Sequence, residues 1–368
     1  MNIPLVDLQA NYLSIKSEID TAIQQVLKDA AFIKGPYLES FERHFASFCQ
    51  VKHAIGASSG TTALHLALLS GGIGKGDEVI TVPNTFIATT ECISQVQARI
   101  KFVDVQKETS LMDLDAVEHA ISPKTKAIVV VHLYGQMPDM QRVREIADAH
   151  DLFIIEDAAQ AHASEWNGHQ PGFYGDVATY SFFPAKNLGC YGDGGAVITN
   201  DTEIAEEMML LVNHGRTQKY EHLIEGYNYR LDAIQAAVLD VKLHYLNDWT
   251  KKRRMHAAVY NDTLPELVEK PVELPGAFHT YYMYVILSNN RDHLQQFLRK
   301  KGIHTGIHYP IPLHLQPAYQ SLGLGKGSYP IAETLASQIL SIPVYPELTE
   351  MQQQYIVDGI QEFIISES

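Results

Sequence analysis

Two side chains able to do covalent chemistry stand out in the middle of the sequence. Lys186 lies between the segments SFFPA and NLGCYGDGGA, and Asp157 ends the apolar run LFIIED upstream of it. A lysine amine can form a Schiff base with an aldehyde and can afterwards carry a proton. The acid has two interpretations, since it can cap the helix after its strand or pair with a protonated ring nitrogen. The two residues can act together only if the fold brings them into one site.

Two glycine-containing segments raise the question of a phosphate site. In GASSGTTALHLAL, residues 56–68, small and hydroxylated residues open a predicted helix whose first amides and dipole favour an anion, although an ordinary Ser/Thr cap fits as well. The glycines of residues 189–195 precede a strand pattern, so neither a Rossmann nor a P-loop context is present, and they favour a tight turn beside Lys186. A strand-end acid, a small-residue helix start and a serine shortly before a lysine are together what a pyridoxal phosphate site requires.

The elements that must position these residues alternate along the chain. Apolar, β-branched runs predict strands, and amphipathic segments predict helices. The predicted strands are 77–83, 100–105, 126–135, 152–159, 176–183 and 194–201, and the predicted helices are 61–72, 114–121, 140–151 and 202–215. Near-continuous apolar strands that alternate with helices are typical of a parallel sheet covered on both faces, and ligands bind at the carboxyl ends of such strands.

The last third of the chain has the pattern of a second, smaller unit. Residues 230–264 predict a long helix, with or without a kink, that leads from a large domain, residues 1–245, into a small domain, residues 246–368. There HTYYMYVILS predicts a strand, and a last helix is expected near 348–365. The second domain is therefore expected to be α+β.

Composition restricts the classes of protein to which the chain can belong. It has 368 residues, of which 46% are hydrophobic and 19% charged, as is typical of a globular chain with a large core. A net charge of −15 argues against nucleic-acid binding, and no apolar run is long enough for a membrane span. Three cysteines without metal spacing and a start without a signal-peptide pattern favour a cytoplasmic protein. Pro310 and Pro312 prevent a helix from aligning His304, His308 and His314, so we expect no metal site.

Ordered motifs over essentially the whole chain resemble those of the DegT/DnrJ/EryC1/StrS sugar aminotransferases. The motifs are IPLVDLQANY, FIKGPYLESFERHFASFC, SSGTTALHLAL, GDEVITVPNTFIATTE, VHLYGQMPDM, IIEDAAQAHAS, SFFPAKNLGCYGDGGAVITND, GYNYRLDAIQAAVL and HYPIPLHLQPAY. This resemblance implies an α/β fold of the fold-type I class of pyridoxal phosphate enzymes. We expect a large domain with a mostly parallel seven-stranded sheet flanked by helices, and a smaller C-terminal α+β domain.

The resemblance also implies roles for individual residues. Lys186 would bind the cofactor as a Schiff base and later move the proton, and Asp157 would face the pyridine nitrogen. The other expected cofactor contacts are Gly60, Thr61 and Ser181 at the phosphate, Phe86 on the ring, Gln160 near the ring hydroxyl, and Asn228 from a neighbouring subunit. Each has an alternative: Phe86 could be a core residue, Ser181 a solvent-facing hydroxyl and Asn228 a helix cap.

The substrate is indicated less directly. Family members that act on 4-keto sugars tend to have SFHxxKxxTTGEGG around the lysine, whereas SFFPAKNLGCYGDGGA resembles the branch that acts on 3-keto sugars. The segment RTQKY has fewer arginines than members that accept a 3-keto uronic acid, although Arg216 or Arg230 could still bind a carboxylate. The expected substrate contacts are Lys219, Tyr220, Arg230, His308, Tyr309 and Tyr319. His162 resembles a histidine of 3-keto-6-deoxyhexose enzymes and is grouped with the catalytic residues; a packed polar residue is the alternative.

The resemblance implies an aminotransferase that moves an amino group from L-glutamate to the C3 keto group of a dTDP-linked 3-keto-6-deoxyhexose. Pyridoxamine phosphate would carry the amino group between the two half-reactions. A UDP-linked 3-keto-N-acetylglucosamine and a 4-keto sugar are the alternative substrates. A sugar dehydratase would have histidine in place of Lys186, and a regulator would carry a DNA-binding module. We expect a homodimer with shared active sites that binds neither nucleic acid nor membrane.

Overall fold

A computed structural model describes residues 1–367 of the chain. Its helices are α1 Leu8–Ser14, α2 Lys16–Asp29, α3 Pro36–Phe48, α4 Gly60–Ser70, α5 Ala88–Gln95, α6 Leu114–Ala120, α7 Met140–His150, α8 Thr202–Leu211, α9 Ala233–Leu243, α10 Leu246–Thr263, α11 Arg291–Lys300, α12 Pro330–Gln338 and α13 Glu350–Glu367. Its strands are β1 His53–Ala57, β2 Glu78–Thr81, β3 Arg99–Phe102, β4 Thr125–Val131, β5 Phe153–Asp157, β6 Glu165–Trp166, β7 Val177–Ser181, β8 Gly195–Thr199, β9 Arg216–Gln218, β10 Glu221–His222, β11 Ala277–Phe278, β12 Tyr284–Leu287 and β13 Ile339–Ile342.

The central sheet has seven strands in the order β1-β8-β7-β5-β4-β2-β3. Strands β7, β5, β4, β2 and β3 pair in parallel, while β8 runs antiparallel to both of its neighbours, β1 and β7. The predicted mostly parallel sheet of seven strands is therefore confirmed. Because β4, β5 and β7 run in one direction, their carboxyl ends meet at the same edge of the sheet.

Both faces of the sheet are covered, as the continuous apolar strands predicted. Val129, Ile155 and Val197 point to one face and pack with residues of α4, α5 and α8. Their neighbours Ile128 and Ile154 point to the other face and pack with residues of α6 and α7. This alternation is the two-residue period of a strand, and it explains why nearly every strand residue is apolar.

Acidic caps begin several helices around the sheet. Asp113, Asp139, Asp201 and Asp232 each accept a hydrogen bond from a backbone amide in the first turn of α6, α7, α8 and α9. A cap of this kind satisfies an amide that has no partner inside the helix. The caps thus fix the residue at which each of these helices begins.

The long helix predicted over residues 230–264 is kinked into two helices, α9 and α10. The break falls at His244 and Tyr245, where the Tyr245 amide donates to the Lys242 carbonyl at 3.0 Å, one residue nearer than in an α-helix. Leu243 and Leu246, on either side, are buried in the same cluster. The kink lets both helices keep an apolar side towards the core.

The C-terminal elements build a core of their own. Helices α10, α11 and α13 pack with the antiparallel pair of β12 and β13 around Tyr260, Tyr284 and Ile360. Ile3 from the start of the chain joins this cluster. The boundary between residues 245 and 246 remains a prediction. Within residues 1–367, no helix has the length and apolar character needed to cross a bilayer.

Candidate active site

Asp157 lies at the carboxyl end of β5, between β4 and β7. Its carboxylate is buried, with Oδ2 accepting from Thr89 Oγ1 at 2.8 Å and Oδ1 accepting from the Ala159 amide at 3.2 Å. Burial raises the pKa of Asp157, while the Thr89 hydrogen bond and the charge of Lys186 act in the opposite direction. A buried carboxylate of this kind is stabilised by a cationic partner, such as a protonated ring nitrogen.

Lys186 is presented by a tight turn that follows β7. Its amide donates to the Phe183 carbonyl at 2.8 Å, and the chain returns through Gly189. A Cβ on Gly189 would lie 2.3 Å from the Pro184 carbonyl oxygen, so only glycine fits there. The glycines after the lysine therefore shape the turn, as the sequence predicted. The amine, Nζ, lies 4.5 Å from the centroid of the Tyr282 ring.

The start of α4 offers a site for a phosphate group. Ser59 caps the helix by accepting from the Thr62 amide, and in the described part of the chain the amides of Gly60 and Thr61 donate to no acceptor. A Cβ on Gly60 would lie 2.6 Å from the Ser181 Cβ, so the helix start and the end of β7 are in close contact. Free amides, a helix dipole and a serine hydroxyl thus converge on one point, which suits an anion.

Gln160 and Tyr309 form a second wall of the site. The Gln160 side chain accepts from the Tyr134 amide at 2.8 Å and donates to Tyr309 Oη at 3.2 Å. The Tyr309 ring is tilted against Phe86, with centroids 5.7 Å apart, and Phe86 is 53% exposed. An exposed phenylalanine beside a buried hydrogen-bond network leaves an apolar face open to a ring.

The structure brings His308 to the same group but buries His162 behind it. His308 Nδ1 is 2.9 Å from Ser341 Oγ, and burial, followed by the Lys186 charge, lowers its pKa to about 4. The His162 ring is buried against Tyr180 and Phe182, and neither of its nitrogens has a hydrogen-bond partner within residues 1–367. Burial and then the Lys186 charge lower the pKa of His162 to about 3, so it is neutral. In this structure His162 therefore occupies the position of a packed polar residue.

Asn228 and its neighbours lie at the surface beside α4. Tyr227 and Tyr229 stack on each other and pack inward, with Tyr229 Oη 3.2 Å from His65 Nδ1. Asn228, between them, points outward and is exposed. The Tyr229 carbonyl accepts from the Ser58 amide, so this segment runs next to the candidate phosphate site.

The remaining predicted substrate residues are spread over three places. Lys219 and Tyr220 form the tip of the hairpin β9–β10, where Tyr220 is 84% exposed. Arg230 Nη1 donates to Asn213 Oδ1 at 2.9 Å, while its buried Nε has no partner in the described chain. Tyr319 is buried in the core with residues of α4 and α5, so the structure does not bring it to the surface of the site.

Three residues of the site were not identified from the sequence. Thr89 holds the Asp157 carboxylate, Tyr134 ties Gln160 to His308 by donating from Oη to the His308 carbonyl at 2.5 Å, and Tyr282 faces the lysine amine. Thr89 lies in the quoted motif GDEVITVPNTFIATTE, three residues after Phe86. Residues three apart on a helix face the same side, so this spacing could have placed Thr89 in the site together with Phe86. Tyr134 stands in the quoted motif VHLYGQMPDM, but nothing in that motif marks its contact with His308, and no local signal marks Tyr282.

Comparison with known proteins agrees with this geometry. Residues 13–361 match the DegT/DnrJ/EryC1/StrS aminotransferase family. A "Pleiotropic regulatory protein" of Geobacillus stearothermophilus is 48% identical over 99% of both chains, and a dTDP-3-amino-3,4,6-trideoxy-alpha-D-glucose transaminase of Streptomyces venezuelae is 43% identical over 98% of this chain and 96% of its own. The crystal structure of S. venezuelae DesV in complex with a ketimine intermediate has a TM-score of 0.97 and 43% identity over 98% of both chains.

The residues present fit the cofactor that the family uses. A buried acid suits the ring nitrogen, free amides at a helix start suit the phosphate, and a lysine on a rigid turn lies near the acid. The chain belongs to the DegT/DnrJ/EryC1/StrS aminotransferase family and is a pyridoxal-phosphate-dependent aminotransferase.

Proposed function

We propose that the enzyme transfers an amino group from L-glutamate to the C3 keto group of a dTDP-linked 3-keto-6-deoxyhexose. The observation that carries the choice of C3 is Phe183, which is 53% exposed at the turn that presents Lys186. It occupies the position at which the 4-keto branch tends to have a histidine. The Streptomyces venezuelae relative, whose name specifies a dTDP-3-amino sugar, supports the same choice.

Pyridoxal phosphate, when bound, supplies an aldehyde that takes up the amino group and a ring that accepts electrons. The residues of the chain supply the rest. Asp157 holds the ring nitrogen in its protonated form, and the amides of Gly60 and Thr61 bind the phosphate together with Ser181 Oγ. Phe86 and the hydrogen-bonded pair of Gln160 and Tyr309 bound the ring and limit access of water.

We assign the transfer of protons between the reacting carbon atoms to Lys186 Nζ. It removes the proton from the α-carbon of the donor amino acid, and in the second half-reaction it returns a proton at C3 of the sugar. Its turn is fixed by Gly189 and by the hydrogen bond to Phe183, so the amine reaches the same point in both steps. His162 is buried and neutral, and we assign it to the packing of this turn.

We assign Lys219 and Arg230 to the diphosphate of a nucleotide-linked sugar. Lys219 lies at the tip of an exposed hairpin, and Arg230 has a buried Nε with no partner in residues 1–367. Local positive charge of this kind can attract an anion although the chain as a whole carries −15. We assign the sugar to His308, which senses the Lys186 charge, and to Tyr309, which is hydrogen-bonded to Gln160.

A second copy of the chain is expected to complete the site. Phe86, Phe183 and Tyr220 are large side chains that are more than half exposed, and Asn228 is exposed beside the phosphate site. Apolar side chains that are exposed together around a reaction centre favour a protein contact. We therefore assign a homodimer in which Asn228 reaches the phosphate of the neighbouring subunit.

The reverse reaction tests this function without an unstable keto sugar. The loaded enzyme receives 2-oxoglutarate and one amino sugar at a time, either dTDP-3-amino-3,6-dideoxyhexose, its 4-amino isomer, or a UDP-linked 3-amino sugar, and glutamate is measured by mass spectrometry. We expect glutamate with the dTDP-linked 3-amino sugar and none with Lys186→Ala. Glutamate only with the UDP-linked sugar or the 4-amino isomer would select one of the two alternative substrates. Glutamate with none of the sugars would contradict the proposal.

A further inference from the structure

Tyr282 is an aromatic residue to which none of the roles above has been assigned, yet it lies directly against the reactive lysine. Its ring is buried, and Lys186 Nζ lies 4.5 Å from the ring centroid. Within residues 1–367, no carboxylate forms a salt bridge with Lys186. An ammonium group at this distance is attracted by the negative face of the ring, and more strongly where water is excluded.

The backbone on one side of Tyr282 is held by a buried arginine. Arg253 of α10 donates from Nη1 to the Val344 carbonyl at 2.7 Å and to the carbonyls of Tyr281 and Tyr282 at 3.4 Å each. Burial lowers the pKa of Arg253 to about 10, and the guanidinium still keeps its proton at neutral pH. The Arg253 guanidinium thus binds three carbonyl groups, and two of them hold the backbone that carries the Tyr282 ring.

On the other side, the segment rests on the loop after β4. The Thr280 amide donates to the Gly135 carbonyl at 2.9 Å, and the Met283 amide donates to the Tyr134 carbonyl at 3.4 Å. A Cβ on Gly135, whose φ is +101°, would lie 2.5 Å from Thr280 Oγ1, so glycine permits this approach. The ring is therefore clamped between α10 and the carboxyl edge of the sheet.

We propose that Tyr282 is a catalytic residue whose ring stabilises the ammonium that the unattached Lys186 becomes when Nζ takes up a proton. The inference rests on the proton-transfer role assigned to Lys186 above. When Nζ takes the proton from the α-carbon of the donor, it becomes an ammonium. Over the two half-reactions Nζ delivers one proton to C3 of the sugar, so it ends the cycle as the amine with which it began. The ring stabilises the charged form and keeps Nζ near the reacting carbon, without a carboxylate that would compete for the proton.

A series of fluorinated rings tests the contact itself. Tyr282 is replaced by phenylalanine and then by mono-, di- and trifluorophenylalanine, which keep the shape of the ring while weakening its negative face. The full chain is loaded with pyridoxamine phosphate, which leaves Lys186 unattached, and carbamylation by cyanate is followed at each lysine by peptide mass spectrometry. We expect Lys186 to react faster with each fluorine, by roughly 2- to 30-fold over the series. Lys219, on the exposed hairpin, should react at one rate throughout.

A second measurement follows the chemical step in the same variants. With L-glutamate as donor, kcat should fall along the series, KM should stay constant, and the isotope effect of α-deuterated glutamate should rise because proton transfer limits the rate more. Equal carbamylation rates and equal isotope effects in all variants would overturn the role of Tyr282. A lack of turnover with glutamate in every variant, phenylalanine included, would instead contradict the proposed donor, and the carbamylation rates would still decide the contact.

Discussion

Replacing Asp157 by asparagine should remove one charge from the site and leave the fold intact. In the natural chain, Thr89 Oγ1 and the Ala159 amide donate to the two carboxylate oxygens at 2.8 and 3.2 Å. In the variant, the amide oxygen can accept from Ala159 while the amide nitrogen donates to Thr89 Oγ1, which also lies 3.1 Å from Thr85 Oγ1. Burial raises the pKa of Asp157, so the cofactor-free variant should be as resistant to unfolding as the natural chain, or more so.

The loss should appear in the affinity for pyridoxal phosphate. A hydrogen bond to a charged group contributes about 1.5–3 kcal/mol, so the dissociation constant should rise roughly 10- to 150-fold, and kcat should fall further. Titration of the cofactor-free chain, followed by absorbance, gives this constant. Thr89→Val is the matched control, because it removes a neutral hydroxyl and keeps the charge, and it should weaken binding only about 2- to 12-fold. An Asp157→Asn variant that binds the cofactor as tightly as the natural chain would refute the assignment of Asp157 to the ring nitrogen.

Three further predictions concern the phosphate site, the dimer and a half-buried acid. Gly60→Ala places a Cβ 2.6 Å from the Ser181 Cβ, so it should lower the free energy of unfolding by about 1–3 kcal/mol and weaken cofactor binding, whereas Gly74→Ala, whose nearest contact is 3.9 Å away, should do neither. Chains with Lys186→Ala and chains with Asn228→Ala, each inactive alone, should regain about a quarter of the natural activity when they are mixed in equal amounts. Half of the dimers then contain both chains, and one of the two sites in such a dimer has both natural residues. No recovery of activity would contradict shared sites. Burial raises the pKa of Glu42 to about 7, so folding takes up a proton between about pH 4.5 and 7, and stability falls as pH rises through that window. Glu42→Gln, which keeps an acceptor for the Gly56 amide, should therefore gain on the order of 2 kcal/mol over the natural chain between pH 5 and pH 8, while the exposed Glu206→Gln should gain none.

Most strands of the central sheet were predictable, because their residues are buried on both faces. Every predicted strand is present, but each ends earlier than predicted, as in the segment 77–83, where β2 covers only Glu78–Thr81. Pro83 has no amide to donate to a neighbouring strand, and the chain leaves the sheet before it. The ends of strands depend on such local chemistry more than on hydrophobicity.

The first helices and β1 were not predicted, because they depend on distant partners. Ile19 and Val26 of α2 are buried in clusters that contain Val238 and Ala237 of α9. The kink after Leu243 likewise reflects the core that α9 and α10 share. Contacts between residues so far apart in the chain leave little trace in a local pattern.

The site shows the same division between local and distant information. Asp157 and Lys186 stand in short motifs whose residue types follow from their chemistry, so the sequence was sufficient to find them. Tyr282 reaches the site through the packing of the C-terminal elements on the sheet edge, and the tyrosines around it predict only a strand. Tyr134, in the loop after β4, contacts the site through the His308 carbonyl, which lies far away in the sequence. His162 stands in a motif too, yet a motif does not reveal that Tyr180 and Phe182 cover the ring.

The most direct test of the account uses Lys186→Ala loaded with pyridoxal phosphate. Without the lysine amine, an amino sugar that the site recognises should remain bound to the cofactor and change its absorbance spectrum. dTDP- and UDP-linked 3-amino and 4-amino sugars are added one at a time. We predict a spectral change with a dTDP-linked 3-amino sugar. A change with a 4-amino sugar alone, or with none of the sugars, would contradict it.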